Sequence, residues 1–310
     1  MTTAGPLQRS VRQARPVAVG AILAGLQHGG GDPTLRAQGA GRWWLAWCTP
    51  DGPATLCLDA PPVADAVDAT AWGPGAEWAL ARVPELLGEG DDPSGFVAHH
   101  AAVAEAARRF AGWRVPRSGL VLQTLVPVVI EQKVTGQEAF TAYRLLVRRF
   151  GEPAPGPGAD LGLRVPPDAA GWAAVPSWEW LRAGVDTARS RTVVAAAGYA
   201  GRLEECVGMP PTLARARMEA LPGVGPWTSA EVAQRALGDA DAVSVGDFHV
   251  AKDIGWALTG TPVDDDGMLE LLQPYAGHRY RVQRLLELAG ASRPRRGPRM
   301  APRTHLPVRR

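Results

Sequence analysis

Met218-Glu-Ala-Leu-Pro-Gly-Val-Gly-Pro-Trp-Thr-Ser-Ala-Glu-Val232 is the stretch whose reading decides the fold. Gly223 and Gly225 permit the positive φ of a tight turn, and Pro226 has the fixed φ suited to a helix's first residue. The stretch therefore predicts a helix, a sharp turn and a second helix. Such a turn offers backbone N–H groups and a positive helix N-terminus to an anion such as a phosphate. Without Cβ atoms at 223 and 225, the anion can approach closely. Taken alone, the turn reads as an ordinary helix stop and start. A second segment downstream shifts the balance: Asp241-Ala-Val-Ser-Val-Gly-Asp-Phe-His-Val-Ala-Lys252 reads as a short extended segment, a Gly-Asp corner at Asp247 and a new helix.

Composition sets the outer bounds. With 310 residues, 46% of them hydrophobic, the chain has enough material for two domains and a substantial core. The apolar run 121–130 is too short to span a membrane and is interrupted by Gln123, Thr124 and Pro127. Arg9, Arg12 and Arg15 are not followed by the apolar region of a secretory signal, so the protein reads as intracellular and cytoplasmic. Cys48, Cys57 and Cys206 are widely separated and form no C-x-x-C pair, as expected of ordinary thiols. The formal charge of +2 hides an asymmetry: residues 293–310 hold seven arginines and no acid, and removing them leaves −5 for the remainder. That proline- and arginine-rich tail reads as disordered, either a nonspecific phosphate contact or a solubilising terminus.

Along the chain, Arg42-Trp-Trp-Leu-Ala-Trp-Cys and Ala54-Thr-Leu-Cys-Leu, joined by Thr-Pro-Asp-Gly-Pro, predict a β-hairpin. Gly29-Gly-Gly-Asp-Pro-Thr34 lacks the Gly-Lys-Ser/Thr ending of a phosphate loop and reads as a flexible turn. From residue 96 the pattern is helical: 98–110, 120–132 with a break or kink at Pro127, and 138–150. A proline- and glycine-rich loop is expected over 151–167. Short helices are expected near 178–183, 187–197, 212–220, 226–237, 248–258, 265–272 and 279–289. The fold class read from this is mainly α: an all-helical domain, 96–292, preceded by a smaller mixed α/β domain, 1–95, and followed by the basic tail, 293–310. Of the eleven tryptophans, Trp172, Trp178, Trp180 and Trp256 read as structural.

The order of hairpin, helix and Gly-Asp corner resembles the helix-hairpin-helix (HhH-GPD) DNA glycosylase superfamily. The Pro-Trp-Thr at 226–228 is most similar to its 3-methyladenine, or alkylpurine, branch. Val129-Ile-Glu-Gln-Lys-Val-Thr-Gly-Gln-Glu-Ala139 resembles that branch's glutamine-containing turn and following helix. Gly184-Val-Asp-Thr-Ala-Arg-Ser-Arg-Thr and Gln273-Pro-Tyr-Ala-Gly-His-Arg-Tyr-Arg resemble further segments, so the likeness covers about 96–290.

The resemblance implies that the chain hydrolyses the N-glycosidic bond of alkylated purines in duplex DNA during base excision repair. Asp247 is the implied catalytic carboxylate, stabilising a sugar with oxocarbenium character or orienting water; read locally, it is a helix cap. Bifunctional relatives carry a Schiff-base lysine two residues after the hairpin's last glycine, where this chain has Trp227, which implies a monofunctional enzyme leaving an intact abasic site. Trp227, with Tyr143 and Trp113, is a candidate for stacking on a cationic base. Gln132 and Lys133 occupy the turn whose residue after the glutamine fills the gap left by the flipped base; either Lys133 or another residue takes that role. Gly223, Val224, Gly225 and Thr228 are candidates for gripping DNA. Arg279 reaches phosphate, fixes the aspartate loop, or lies on a solvated helix face.

The resemblance also allows a Na+ or K+ ion at the backbone carbonyls of Leu221 and Val224. It leaves no place for the four-cysteine iron-sulfur cluster of some relatives, because no cysteine follows Cys206. No other cofactor is expected, and the protein reads as a monomer acting on damaged duplex DNA. Two alternatives stay open: a glycosylase for oxidised or deaminated bases, and a helix-hairpin-helix protein that binds DNA without catalysis.

Overall fold

The computed structural model describes residues 5–39 and 41–294, so the arginine tail from Arg295 onward lies outside the described residues. Strand β1 (Leu7–Val17), the short helix α1 (Val19–Leu23), then β2 (Leu35–Gln38), β3 (Arg42–Thr49), β4 (Gly52–Asp59) and β5 (Ala64–Trp72) come first, followed by helix α2 (Ala76–Leu86). The strands form one antiparallel sheet in the order β1-β5-β4-β3-β2. The expected hairpin is β3–β4, with Thr49 opposite Gly52 and Leu45 opposite Leu56. Alternation along these strands sends Leu45, Trp47, Leu56 and Leu58 to the face that shares a core with Leu80, Val83 and Leu86 of α2.

Trp44, Ala46 and Cys57 point to the opposite face, which is also apolar and needs a cover. The proline- and glycine-rich segment supplies it. In place of the expected loop over 151–167 there are two short strands, β6 (Glu152–Pro153) and β7 (Arg164–Val165), around the short helix α6 (Pro157–Asp160). Ala154, Leu163 and Val165 lie on the tryptophan face. Pro153 is tolerated because a two-residue pairing asks little of its missing N–H.

Helices α3 (Ala101–Arg109), α4 (Val121–Glu131) and α5 (Gly136–Phe150) follow α2. Helix α4 runs through Pro127 without a break. Helix α5 starts two residues before the sequence expectation, because Thr135 and Glu138 form a reciprocal capping box. Beyond β7 come α7 (Ala169–Ala174), α8 (Ser177–Arg182), α9 (Thr187–Gly198), α10 (Ala200–Glu204), α11 (Pro211–Glu219) and α12 (Pro226–Val232). The last of these continues as a π-helical turn, Ala233–Leu237, and stops at Gly238 with φ 75°. Helices α13 (Val250–Thr259), α14 (Asp265–Leu272) and α15 (Arg279–Leu288) complete the described chain.

The helices pack around two cores. One joins Val129, Ile130, Trp172, Trp180, Val193, Met218 and Val232, within residues 121–236. The other joins Val103 of α3 to Ile254, Met268, Leu272 and Val282 of α13 to α15. The core beneath the sheet does not stop at residue 95, since it takes in Trp113, Val115, Leu120, Tyr280 and Leu285. A buried ion pair between Arg281 of α15 and Asp91 adds a polar link on the same side. The four tryptophans read as structural divide: Trp172 and Trp180 stack in the core with ring centroids 5.8 Å apart, whereas Trp178 is 66% exposed and Trp256 39%. Among the described residues no helix is long and apolar enough to cross a membrane.

Candidate functional site

The turn between α11 and α12 is pinned from inside and open outside. Leu221 and Val224 are buried in the larger helical core, while Pro222 and Gly223 are exposed. Gly223 has φ 89°, and a Cβ there would lie 2.0 Å from Thr192 Oγ1 of α9, so glycine is required twice over. Gly225 differs from the sequence expectation. Its φ is −110°, it caps α12, and a Cβ on it would meet nothing within 4 Å. Its small size leaves open space in front of the helix start rather than relieving the backbone. The Val224 N–H donates to the Leu221 carbonyl at 3.0 Å, closing a turn whose exposed part is Pro222 and Gly223, with Gly225 half-buried after it.

Gln132, in the turn after α4, donates from Nε2 to the Gly223 carbonyl (2.9 Å) and to Thr228 Oγ1 (2.8 Å). Thr228 is buried, so its hydroxyl supports the hairpin from within instead of facing outward. Lys133 follows with φ 55°, the one non-glycine residue at positive φ among the described residues, and its side chain is exposed. Behind this turn, Glu131 accepts from His28 Nδ1 at 2.9 Å. Burial pushes the Glu131 carboxyl up, but the His28 hydrogen bond and the charges of His28 and Arg235 outweigh it and hold the group below the usual carboxylate range. His28 sits in a turn that is ordered, not flexible as its sequence suggested. Asp32 accepts from His28 N, Thr34 N and Thr34 Oγ1, and the glycines pack on α5 at Phe140 and Arg144.

Asp247 precedes α13. Its Oδ1 accepts the N–H groups of His249 (2.7 Å) and Val250 (3.0 Å), and its Oδ2 accepts Trp227 Nε1 (3.2 Å). The cap fixes the carboxylate, and the indole ties it to the helix that begins at the hairpin. Asp265 Oδ2 accepts from Gly246 N (3.1 Å), holding the same corner from α14.

A buried polar strut sets the distance between these parts. Glu231 of α12 accepts from Ser244 Oγ (2.5 Å) and from Arg235 Nη1 (2.6 Å). Ser244 in turn receives Gln234 Nε2 (2.9 Å) and Gln283 Nε2 (3.1 Å). The helix carrying Trp227 is thus connected to the loop carrying Asp247 through satisfied buried groups, the arrangement that rigidifies rather than loosens a core. At the head of the same loop, Asp241 accepts from Arg279 N (3.1 Å) and Arg279 Nη1 (2.6 Å). The Arg279 charge is therefore committed to the aspartate loop.

Hairpin, Gln132, Thr228, Trp227 and Asp247 form one hydrogen-bonded constellation; Tyr143 and Trp113 lie elsewhere. Trp113 packs edge-on to Tyr280, centroids 6.1 Å apart, under the sheet. Tyr143 is buried beside His28 and lines a cavity of about 50 Å³ together with Thr34, Trp47, Gln123 and Arg235. Burial raises the Tyr143 phenol far above its ordinary value, keeping it neutral.

No family model matches the chain. It is 31% identical over 194 residues to the probable bifunctional transcriptional activator/DNA repair enzyme AlkA of Mycobacterium tuberculosis, a match over 57% of this chain and 36% of that protein. The chain thus spans about a third of the length of the curated relatives it matches. The 3-methyladenine DNA glycosylase of Archaeoglobus fulgidus superposes with a TM-score of 0.74 at 15% identity, covering 91% of this chain and 98% of that one. This chain carries the helix-hairpin-helix DNA glycosylase fold. The 8-oxoguanine glycosylase/lyase of Clostridium acetobutylicum, solved with double-stranded DNA containing cytosine opposite 8-oxoG, has the same fold at a TM-score of 0.68 and 12% identity, covering 94% and 99%.

Within this glycosylase fold, sequence reasoning missed the supports of the site: Glu231, Ser244, Gln283, Asp241, Asp265 and the His28–Glu131 pair. One signal was present. Glu231 and Gln234 interrupt the apolar run Ala-Glu-Val-Ala-Gln-Arg-Ala, and polar residues on a buried helix face need partners. Ser244 and Gln283 of the strut are 39 residues apart, and His28 and Glu131 are 103 apart, so no local pattern announces either pairing.

Proposed function

We propose that the protein is a DNA glycosylase of the alkylpurine type, acting in base excision repair on damaged duplex DNA. The observation that carries this reading is the Trp227–Asp247 contact. A fixed carboxylate stands beside an indole at the position where, by resemblance, the bifunctional branch has its amine. Asp247 stabilises positive charge developing on the sugar as the base leaves, or orients the attacking water, and its two capping N–H groups and the indole keep it from rotating away. Trp227, half-buried at the start of α12, offers a π-face to a cationic base. Base release is hydrolytic, and the enzyme is monofunctional in that step.

Gly223 and Gly225 approach the DNA backbone, Gln132 braces the hairpin, and Lys133 enters the groove or the gap left by the flipped base. The carbonyl oxygens of Leu221 and Val224 are hard donors of the kind an alkali cation takes. The Leu221 oxygen already accepts Val224 N–H and keeps one lone pair, so these two carbonyls would hold a Na+ or K+ ion that adds positive charge under a phosphate. We assign residues 1–95 to an α/β domain, 96–292 to the helical glycosylase domain and 293–310 to a basic tail. The protein works as a monomer inside the cell.

The test incubates methylated duplex with wild type and Asp247→Asn and measures free modified bases and abasic sites. The substitution is expected to lower base release about a hundredfold or more. Equal release by both proteins rejects Asp247 as the catalytic group. A panel of duplexes bearing alkylated, oxidised and deaminated bases separates the alkylpurine reading from the other lesion classes. Binding without release from any of them leaves a DNA-binding module.

A further inference from the structure

Of the 33 lysine and arginine residues, only Lys133 and Lys252 are lysine. Both flank the constellation of hairpin, Trp227 and Asp247. Everywhere else the chain meets its need for a surface cation with arginine, which binds phosphate at least as well. Lysine does one thing that arginine does not: its amine, once deprotonated, adds to a carbonyl carbon.

The two lysines differ in availability. Lys252 Nζ donates to the Phe248 carbonyl (3.1 Å) and sits 4.1 Å above the centroid of the Phe248 ring. No hydrogen bond or ion pair engages Lys133 among the described residues, and its side chain is exposed. Its backbone has φ 55°, a conformation that costs a side-chain-bearing residue about 1 kcal/mol and that glycine adopts freely. Yet glycine is absent there, although glycine takes sixteen other positive-φ positions among the described residues. The turn is held in this shape because its preceding residue, Gln132, is bonded to both Gly223 and Thr228 of the hairpin. A strained position that keeps a long primary amine beside the DNA-gripping turn points to use of the amine.

We infer that Lys133 captures the abasic-site aldehyde as a reversible imine. The inference rests on the glycosylase reading only in that an abasic sugar is the product. The Lys133 ammonium first gives a proton to solvent; its nitrogen lone pair then adds to C1′ of the ring-opened sugar as the C=O π bond breaks and the oxygen takes up a proton, and the carbinolamine expels that hydroxyl with an N–H proton as water, leaving a C=N bond. Hydrolysis returns the amine and the aldehyde. No strand is broken and no electron is exchanged. The step follows base release, so it is separate from the hydrolysis assisted by Asp247, and it holds a reactive product on the protein.

The test uses a duplex with a pre-formed abasic site, made by enzymatic removal of uracil, and sodium borohydride, whose hydride reduces the imine to a stable amine. Trapped complex is scored on a denaturing gel and normalised to the fraction of duplex bound. Wild type is expected to trap, and the adduct to map by mass spectrometry to the peptide containing Lys133. Lys133→Ala and Lys133→Arg are expected to trap about tenfold less or lower still per bound complex, while Lys252→Ala keeps trapping. The arginine variant retains charge and aliphatic stem, so its loss isolates the amine chemistry. Undiminished trapping by Lys133→Arg, or no trapping by wild type bound to the duplex, overturns the inference. Because the abasic site is supplied, failure of base release from methylated DNA bears on the proposed function and leaves this result unaffected.

Discussion

The indole N–H of Trp227 points at Asp247 Oδ2 from 3.2 Å, across 20 residues of chain. It joins the first turn after the hairpin to the corner before α13, so one side chain serves both as an aromatic face and as a brace. Trp227→Phe separates the two roles by keeping a ring and removing the donor. Base release in single-turnover assays is expected to fall about tenfold, the size of one hydrogen bond to a charged group. Trp227→Ala should fall further by losing the ring as well. Unchanged release by the phenylalanine variant would show that the brace contributes nothing.

The two hairpin glycines should behave differently. Gly223→Ala meets Thr192 Oγ1 and demands a positive φ, so it is expected to cost about 1–3 kcal/mol in denaturant unfolding. Gly225→Ala is expected to cost less, about 0.5–1 kcal/mol, because its φ suits alanine and its Cβ enters open space, leaving only the preference for glycine over alanine at a helix N-cap to be lost. Its effect should appear as weaker duplex binding, measured by fluorescence anisotropy. Equal binding would place the phosphate elsewhere.

Ser244→Ala removes the hydroxyl that receives Gln234 and Gln283 and donates to Glu231. Buried partners left unsatisfied cost about 1–3 kcal/mol, so the melting temperature should drop although only one oxygen is lost. Base release at a temperature where the variant remains folded should also decline, because the strut fixes the Asp247 loop.

Acid sensitivity should trace in part to Glu131. Its carboxyl is held below the ordinary range in the folded protein, so it contributes stability that is present above the unfolded-state value, near 4.5, and is lost as pH falls through the lower folded value. Glu131→Gln should lower stability at neutral pH and flatten the loss below about pH 4.5. Urea unfolding from about pH 3 to about pH 7 reads both effects. Parallel curves for the two proteins would remove the His28–Glu131 pair from the account.

Local chemistry made part of this molecule legible. Pro226 after two glycines announced the helix start, Pro50-Asp51 between two tryptophan- and leucine-rich runs announced the β3–β4 hairpin, and the 265–272 helix coincides with its expected limits. What failed was local rule-making where distant surfaces decide. The proline- and glycine-rich segment 151–167 pairs as strands because Trp44 and Cys57 require a cover, and that requirement is invisible within the segment. Lys133 read as a departure from the expected plug; its left-handed backbone emerged only from the Gln132 bonds to a hairpin 91 and 96 residues away. Tyr143 and Trp113 drew attention as aromatics, and side-chain type alone could not say that both are buried, Tyr143 beside His28 and Trp113 against Tyr280.

Scarcity of lysine has a practical side. A mild acylating dye has the Lys133 and Lys252 amines and the α-amino group as its targets, and Lys252 is shielded by the Phe248 ring and carbonyl. The cysteines offer little competition, since burial pushes the Cys48 and Cys57 thiols up to about 11 and also raises Cys206. Labelling the unaltered polypeptide therefore marks two places, the α-amino group and Lys133, and the label on Lys133 lies next to the hairpin turn, where it can register the arrival and departure of a duplex in real time.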